Sequence, residues 1–583
     1  MKKISLFLFM IAGCLVFLFS CKKEFLEKTP PGSVSAELLA TEKGVESLLI
    51  GAYESLYGGG VPSWGAGIFG ASMTDWEWGE ITSDNAYFGA QTSYIAIERY
   101  EMLPSNSYTS EKWSDAYDGV SRANDVLNLL QQAKDKIPTP RVTEIEAEAK
   151  FLRAWHHFRL QRIYWQIPYL KTTEEMGGKD PETIPNDGPH WEDTEADLQF
   201  AVDNLPDDHP KGEVGRPTKY AAMAVLARVF LFQNKLSEAK TLLDNIINSG
   251  KFALVDKYYD NYNLHTENNV ESIFEIQCDV SPGSLGNNTI EIEGCCFFQR
   301  GPASKGWGAY QPSEDLFEAF QVDSDGLPIL DVEKRVPLEN DMGIVSATMF
   351  VPTSHLLDPR VDWTIARRGI PFLNWGVNAG NDWIRGQSAG GPYMTVKFMH
   401  KKEDDATETA LGGFKNSMNF RAYRYAHVLL WRAEVAVEEG DLEYARQLVN
   451  MVRERASHDV VMGSCTTYQF DGGPIVVDWN QPAANYLVGI YPQGHAAFAS
   501  KEEARKAVRH ELRMEFATEG QRFFDLRRWG IDNEVLNTFI ANDSKFRYFM
   551  SGAVYNPNKK YFPLPQDQID LQQGVLVQDP AYQ

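Results

Sequence analysis

Two stretches of this chain repeat one helical design, and that repetition narrows the fold more than any other feature. The first opens at Gly215-Arg216-Pro217-Thr218, where Thr218 is placed to cap a helix over Lys219 to Gln233. A second helix follows from Leu236 to Ser249 and is stopped by Gly250. The other stretch runs from Arg421 to Glu439, turns at Gly440-Asp441 and continues from Leu442 to Ala456. Laid on one another, Ala227 matches Ala433, Leu236 matches Leu442, Ala239 matches Ala445 and Lys240 matches Arg446.

Small alanines where two helices cross, with a polar turn and a leucine just after it, resemble a tetratricopeptide-type helix pair. The two copies stand too far apart in the chain for a simple solenoid. Further helices are expected from Arg141 to Ile167, where Phe151, Ala154, Trp155 and Phe158 form one apolar stripe ahead of Pro168. Another is expected from Lys501 to Thr518, with Val508, Leu512 and Phe516 on one face. Segments 58 to 110, 280 to 420 and 457 to 500 are rich in Gly, Pro, Asn and Trp, and short apolar runs such as Ile273-Phe274-Glu275-Ile276 read as isolated strands. The fold class is therefore mainly α: helix pairs form a scaffold that carries long irregular loops and a few short strands. Long loops on a rigid frame are where binding surfaces usually sit. Trp64, Trp76, Trp78, Tyr87, Trp307, Tyr310, Trp375 and Trp383 all fall in them.

The first twenty residues read as an export signal that is removed, leaving an N-terminal region of 21–260 and a C-terminal region of 261–583 as one compact unit. Lys2 and Lys3 precede an apolar run from Ile4 to Phe19. That run is short of the roughly 20 apolar residues a membrane span needs. Leu18-Phe19-Ser20-Cys21 fits a lipobox, in which the Cys21 thiol receives a lipid. Two or three acyl chains anchor stably where one does not. Ile11-Ala12-Gly13-Cys14 fits the pattern too, but cleavage there would leave Leu15 to Phe19 exposed, whereas after Cys21 the chain turns polar with Lys22, Lys23 and Glu24.

The formal net charge of −24 argues against a nucleic-acid partner, which would call for clustered Lys and Arg. Cys278, Cys295, Cys296 and Cys465 allow three disulfide pairings or buried free thiols, with no metal-ligand spacing among them. Catalytic signatures fail on context. Gly65-Ala66-Gly67-Ile68-Phe69-Gly70 satisfies GxGxxG but follows a Gly-rich loop rather than a strand. Gly386-Gln387-Ser388-Ala389-Gly390 satisfies GxSxG, yet Gly391-Pro392 follows where a helix should start. His510-Glu511-Leu512-Arg513-Met514 lacks the second histidine of a zinc motif, and His156 and His157 point about 100° apart on a helix. No catalytic residue, metal or cofactor is expected.

Together these blocks resemble the SusD/RagB family of outer-membrane lipoproteins over nearly the whole chain after Cys21. The marks are Arg424-Tyr425-Ala426-His427-Val428-Leu429-Leu430, Val452-Arg453-Glu454-Arg455-Ala456, Glu511-Leu512-Arg513-Met514-Glu515-Phe516, Glu519-Gly520-Gln521-Arg522 and Asp525-Leu526-Arg527-Arg528-Trp529-Gly530. Phe562-Pro563-Leu564-Pro565 and Gln578-Asp579-Pro580-Ala581-Tyr582 fit as well, as do Ala149 to Ala154 and Arg216-Pro217-Thr218 in the N-terminal half. The charged set Glu511, Arg513, Glu515, Arg522, Asp525 and Arg528 alternates in sign across a helix end, which suits internal ion pairs.

The resemblance implies a lipid-anchored receptor, exposed at the cell surface, that captures an oligosaccharide and hands it to a SusC-like TonB-dependent transporter. Lys22 and Lys23 stand where exported members often carry acidic residues, which leaves a periplasmic orientation open. Family ligand contacts correspond here to about 64 to 90 and 297 to 312, which makes Trp76, Trp78, Asp84, Asn85, Tyr87, Trp307 and Tyr310 the candidate ligand-binding residues. If Trp76 and Trp78 lie on an extended segment, both rings face one side as a sugar platform requires. A loop tryptophan also serves as a plug over a scaffold. The rival readings are a peptide-binding member of the same family, a lipid-anchored glycoside hydrolase and a helical protein adaptor.

Overall fold

Capping and turn chemistry sets the helices of this chain. The computed structural model describes residues 36–58, 71–89, 94–281, 301, 308–407, 409–410 and 415–583. Among these residues the helices of seven or more residues are α1 (Glu42–Glu54), α2 (Ser107–Ala133), α3 (Thr139–Tyr164), α4 (Trp191–Asn204), α5 (Lys219–Phe232) and α6 (Leu236–Asn248). After a long insertion come α7 (Tyr425–Glu439), α8 (Leu442–Ala456), α9 (Lys501–Phe516), α10 (Arg522–Arg528) and α11 (Asp532–Asp543). No described helix is long and apolar enough to cross a membrane.

Thr218 caps α5 as expected, accepting from the Ala221 amide, and Asp441 caps α8 by accepting from the Tyr444 amide at 3.1 Å. Gly440, with φ of 90°, closes α7 in the left-handed region where a side chain would be strained. Ser500 caps α9 and Glu502 and Glu503 fill its first turn, complementing the helix dipole. The four alanines matched between the two hairpins, Ala227, Ala239, Ala433 and Ala445, are all fully buried. They let α5 pack on α6 and α7 on α8.

Each helix from α1 to α6 packs on the next, α6 packs on α7, and the stack continues through α8 and α9. The insertion at 249–424 therefore separates the two hairpins in sequence but not in space: they stack although the chain between them is too long for a simple solenoid. One apolar core of residues drawn from Ala40 to Phe516 runs through the stack, so residues on both sides of position 260 share it.

Strands are short: β1 (Ala86–Gly89), β2 (Ser272–Ile276), β3 (Ala309–Pro312), β4 (Ile365–Ala366), β5 (Met394–Thr395), β6 (Thr409–Ala410), β7 (Lys415–Asn416), β8 (Phe420–Arg424), β9 (Met462–Cys465) and β10 (Val477–Pro482). They form antiparallel pairs only, β1 with β3, β2 with β8, β4 with β5, β6 with β7 and β9 with β10. The run Ile273 to Ile276 is a strand as expected. Its partner β8 takes the residues from Arg421 to Arg424 that the sequence assigned to a helix, because their backbone pairs with β2 and the Tyr425 amide donates to Glu271 O at 2.8 Å. The helix expected to reach Ile167 ends at Tyr164, where Trp165 turns left-handed with φ of 67°.

Candidate functional site

The two loop regions predicted to hold the ligand meet as one strand pair. In β1–β3, Ala86 faces Pro312, Tyr87 faces Gln311 and Gly89 faces Ala309. The contact is reinforced where the Ser313 amide donates to Asn85 O at 2.9 Å and its hydroxyl donates to Asp84 O at 2.6 Å. Trp64 and Trp307 belong to segments next to this pair in the chain and lie outside the described residues, as do Cys14, Cys21, Cys295, Cys296 and the GxGxxG stretch.

Trp76 and Trp78 sit on a short helical turn, Trp76–Gly79, and not on an extended segment. Two residues of helix separate their directions by about 200°, so the rings cannot form one platform. Trp76 stacks on Tyr310 with ring centroids 4.3 Å apart, and its indole N–H donates to Thr518 O at 2.8 Å. Trp78 meets the edge of Phe562 at 4.8 Å. The Tyr310 hydroxyl donates to Glu77, whose carboxyl burial pushes up to about 8.

The polar candidates are equally engaged. Burial alone would raise Asp84, but Arg513 and Arg522 outweigh it and hold the carboxyl well below the usual range. Asn85 accepts from Arg513 Nε at 2.8 Å and donates to Glu80 at 2.9 Å. Glu80 is pushed up to about 7 by burial, against the pull of Asn85 and of the Gln521 and Gly520 amides. The Tyr87 hydroxyl donates to Asp543 at 2.5 Å and the Arg547 guanidinium lies 3.5 Å from its ring centroid. Trp76, Trp78, Asp84, Asn85, Tyr87 and Tyr310 are each at most 2% exposed. Among the described residues these six pack ring on ring and charge on charge, so they floor the loops.

The same floor explains the signature motif. Asp75 is held low against burial by Arg159, Lys112 and Arg162, with Lys112 Nζ 2.6 Å away. Glu515 receives Arg360 at 3.0 Å, Arg424 at 2.5 Å and Arg455, while Glu519 receives Lys397 at 2.8 Å. Arg528 bridges Asp525 at 2.6 Å and Glu434, and Glu511 takes Arg453 at 3.0 Å. The charged set is a network of internal ion pairs, as its alternating signs suggested. Gly79 and Gly520 cross so closely that a Cβ on Gly79 would strike Gly520 O, and one on Gly520, whose φ is 77°, would strike Thr74 O.

The GxSxG stretch forms a single helical turn, Gln387–Gly390, with Ser388 exposed. Trp375 and Trp383 are buried in a small cluster with Phe372 and Met399. Cys278 and Cys465 are free thiols. Sequence reasoning passed over Phe546 and Tyr548, which are 73% and 80% exposed on either side of the Arg547 that covers Tyr87. Their signal was legible as an aromatic and cationic run, Lys545-Phe546-Arg547-Tyr548-Phe549.

Comparison with known proteins agrees with this architecture. A SusD-like protein, P25, from Formosa agariphila is 23% identical over 99% of this chain and 98% of its own length. The crystal structure of a SusD superfamily protein from Bacteroides vulgatus superposes with a TM-score of 0.67 at 20% identity, covering 93% of this chain and 99% of that one. Surface glycan-binding protein A from Bacteroides thetaiotaomicron, solved in complex with laminarihexaose, superposes with a TM-score of 0.64 at 19% identity over 92% and 99% of the two chains. A family model described as "Starch-binding associating with outer membrane" matches residues 24–231, and the model described as "SusD family" matches residues 270–582. With more than half of its length matched by that second model, the chain belongs to the SusD family.

Proposed function

We propose that this protein is a non-catalytic, lipid-anchored glycan receptor of the outer-membrane surface, tethered through Cys21, that passes captured oligosaccharide to a SusC-like TonB-dependent transporter. The observation that carries the reading is the β1–β3 pair. It draws two aromatic-rich loop regions onto one rigid floor, locked beneath by Trp76, Tyr310 and the Asp84 ion pairs. Similarity to a surface glycan-binding protein solved with laminarihexaose supports the cargo class.

Of the sequence candidates Trp307 lies outside the described residues, and the exposed Phe546 and Tyr548 flank the Arg547 that covers Tyr87 of β1. Sugars pack their CH faces on aromatic rings, and related stacking contacts are worth about 1–3 kcal/mol each. Two or three such rings with several hydrogen bonds reach micromolar affinity, about −8 kcal/mol. Affinity of that order suits a protein that must release what it holds.

The test is a glycan-array screen of the chain from residue 22 onward, followed by calorimetry on hits with Trp307→Ala and Tyr548→Ala. Either substitution weakening a hit more than tenfold at unchanged melting temperature supports the receptor and its site. A folded protein that binds no glycan moves the cargo to peptide.

A further inference from the structure

A cleft of about 820 Å³ lies between α7, α9 and α11 and reaches Asp84 and Asp315 at the ends of β1 and β3. One wall is a stripe of α9, where Arg505, Arg509 and Arg513 follow at i, i+4 and i+8, beside the face that buries Val508 and Leu512, with Arg513 itself buried. Like charges at that spacing oppose one another, so such a stripe needs anions facing it.

The anions present are unevenly placed. Arg505 is paired with Glu438 at 2.6 Å, Arg513 with Asp315 at 2.6 Å and Arg528 with Glu434. The carboxylates of the lining that lack a cation within 4 Å, Glu333, Glu502 and Glu534, are exposed on the rim. Deeper in, the uncompensated groups are all donors or cations. Arg509 makes no ion pair within 4 Å among the described residues, feels Glu434 and Glu438 only from a distance, and lies 5.0 Å over Trp529. Arg335 donates only through Nε, to Ile329 O at 3.0 Å, and its Nη1 is buried with no acceptor among the described residues. His510 lines the cleft, is 8% exposed, and has no hydrogen-bond partner among the described residues.

A buried donor left unmatched costs about 1–3 kcal/mol, more when charged. Native structures rarely leave such a donor as Arg335 Nη1 without a partner. A guanidinium presents paired N–H groups that match two oxygens of one anion. Burial, with Arg513 and Arg522 nearby, brings Arg335 down to about 10 against the pull of Asp315 and Asp84.

We propose that this cleft, on the far side of the Asp84 floor from the aromatic rings, is a second ligand site, and that it takes an oxyanionic group, a carboxylate or a sulfate, on Arg335, Arg509 and His510. The volume accommodates a sugar unit bearing such a group as readily as a free ion. The inference does not depend on the receptor reading.

The experiment titrates the chain from residue 22 onward with trigalacturonate, inorganic sulfate and laminarihexaose. Binding is read by calorimetry and by the ring signals of His510, assigned with His510→Gln. Trigalacturonate or sulfate should shift the His510 signals, and the double variant Arg335→Gln/Arg509→Gln should weaken that binding more than tenfold. Arg335→Lys/Arg509→Lys should retain part of it, since the charge remains while the paired donors go. Trigalacturonate at least tenfold tighter than sulfate identifies an acidic sugar as the source, and equal, competing affinities identify a free oxyanion. Laminarihexaose binding unchanged in the double variant separates this cleft from the loops. No anion-dependent shift of His510 in a folded protein, or anion affinity unaltered by the glutamine pair at unchanged melting temperature, overturns the proposal.

Discussion

Arg522 grips Asp84 through two hydrogen bonds of 2.9 Å, joining residues 438 positions apart. The pair fixes the floor of the aromatic loops to the start of α10, and Arg513 joins it from α9 at 3.1 Å. Breaking a buried pair from one side typically costs about 3–5 kcal/mol, because the remaining charge stays uncompensated. Asp84→Ala is therefore expected to lower the melting temperature by several degrees, and Arg522→Ala to lower it less, since Arg513 still compensates Asp84. Thermal denaturation followed by circular dichroism checks the order, and an unchanged midpoint for Asp84→Ala would contradict it.

Trp76 and Trp307 should part company. Trp76 is 1% exposed and fills the space between Tyr310 and Thr518, so Trp76→Ala is expected to cost about 3–5 kcal/mol through lost packing. Trp307→Ala should leave the unfolding midpoint in place and act on glycan affinity. Denaturant titration of the two variants side by side measures the difference, and equal stability losses would refute the division of roles.

Gly520 tests the close crossing beneath the loops. Its φ of 77° and the approach of Thr74 O leave no room for a methyl group. Gly520→Ala is expected to destabilise by more than about 1 kcal/mol, through strain and displacement together, visible as a lower urea midpoint. A neutral substitution would show that the crossing relaxes freely.

Much of the scaffold was legible because it obeys local rules. Thr218, Gly250 and Gly440 bound their helices where the chain places them, and the paired alanines mark the crossings. Helix α2 was missed: its buried residues from Thr109 to Ala133 include Lys112 and Asn124, so its inward face does not read as an apolar stripe. Helix α4 hides its Leu198 and Ala201 among acidic neighbours in the same way. The burial of Trp76, Asp84 and Tyr87 was not legible at all, because it depends on Thr518, Arg522 and Asp543, hundreds of residues away. A tryptophan that plugs and one that binds look alike until the partner surface is known.

Stability should fall as the solution passes from neutral to mildly alkaline. Burial holds Glu77 and Glu314 up to about 8 and Glu80 up to about 7, so these groups bind more protons folded than unfolded up to about pH 8, whereas His156, His157, His427 and His510, held low by burial, oppose that trend only below about pH 6.5. The contribution of the three glutamates is complete below the unfolded value and is lost as pH rises through the folded one. Asp75, Asp84 and Glu515 shift the other way, against burial, because their Arg and Lys partners dominate, and their contribution is lost as the solution becomes strongly acidic. The melting temperature should thus fall from pH 7 to pH 8.5, and Glu314→Gln should flatten that fall. A midpoint that rises over this range would contradict the assignment.

The central claim is that aromatic residues beside β1 and β3, Trp307 and Tyr548, hold a glycan while the buried rings below only support them. Calorimetry of one array-selected oligosaccharide against the parent chain, Trp307→Ala and Tyr548→Ala tests it most directly, with melting temperatures taken on the same samples. The account predicts at least tenfold weaker binding for each substitution at an unchanged melting temperature. Full affinity in both variants would contradict it.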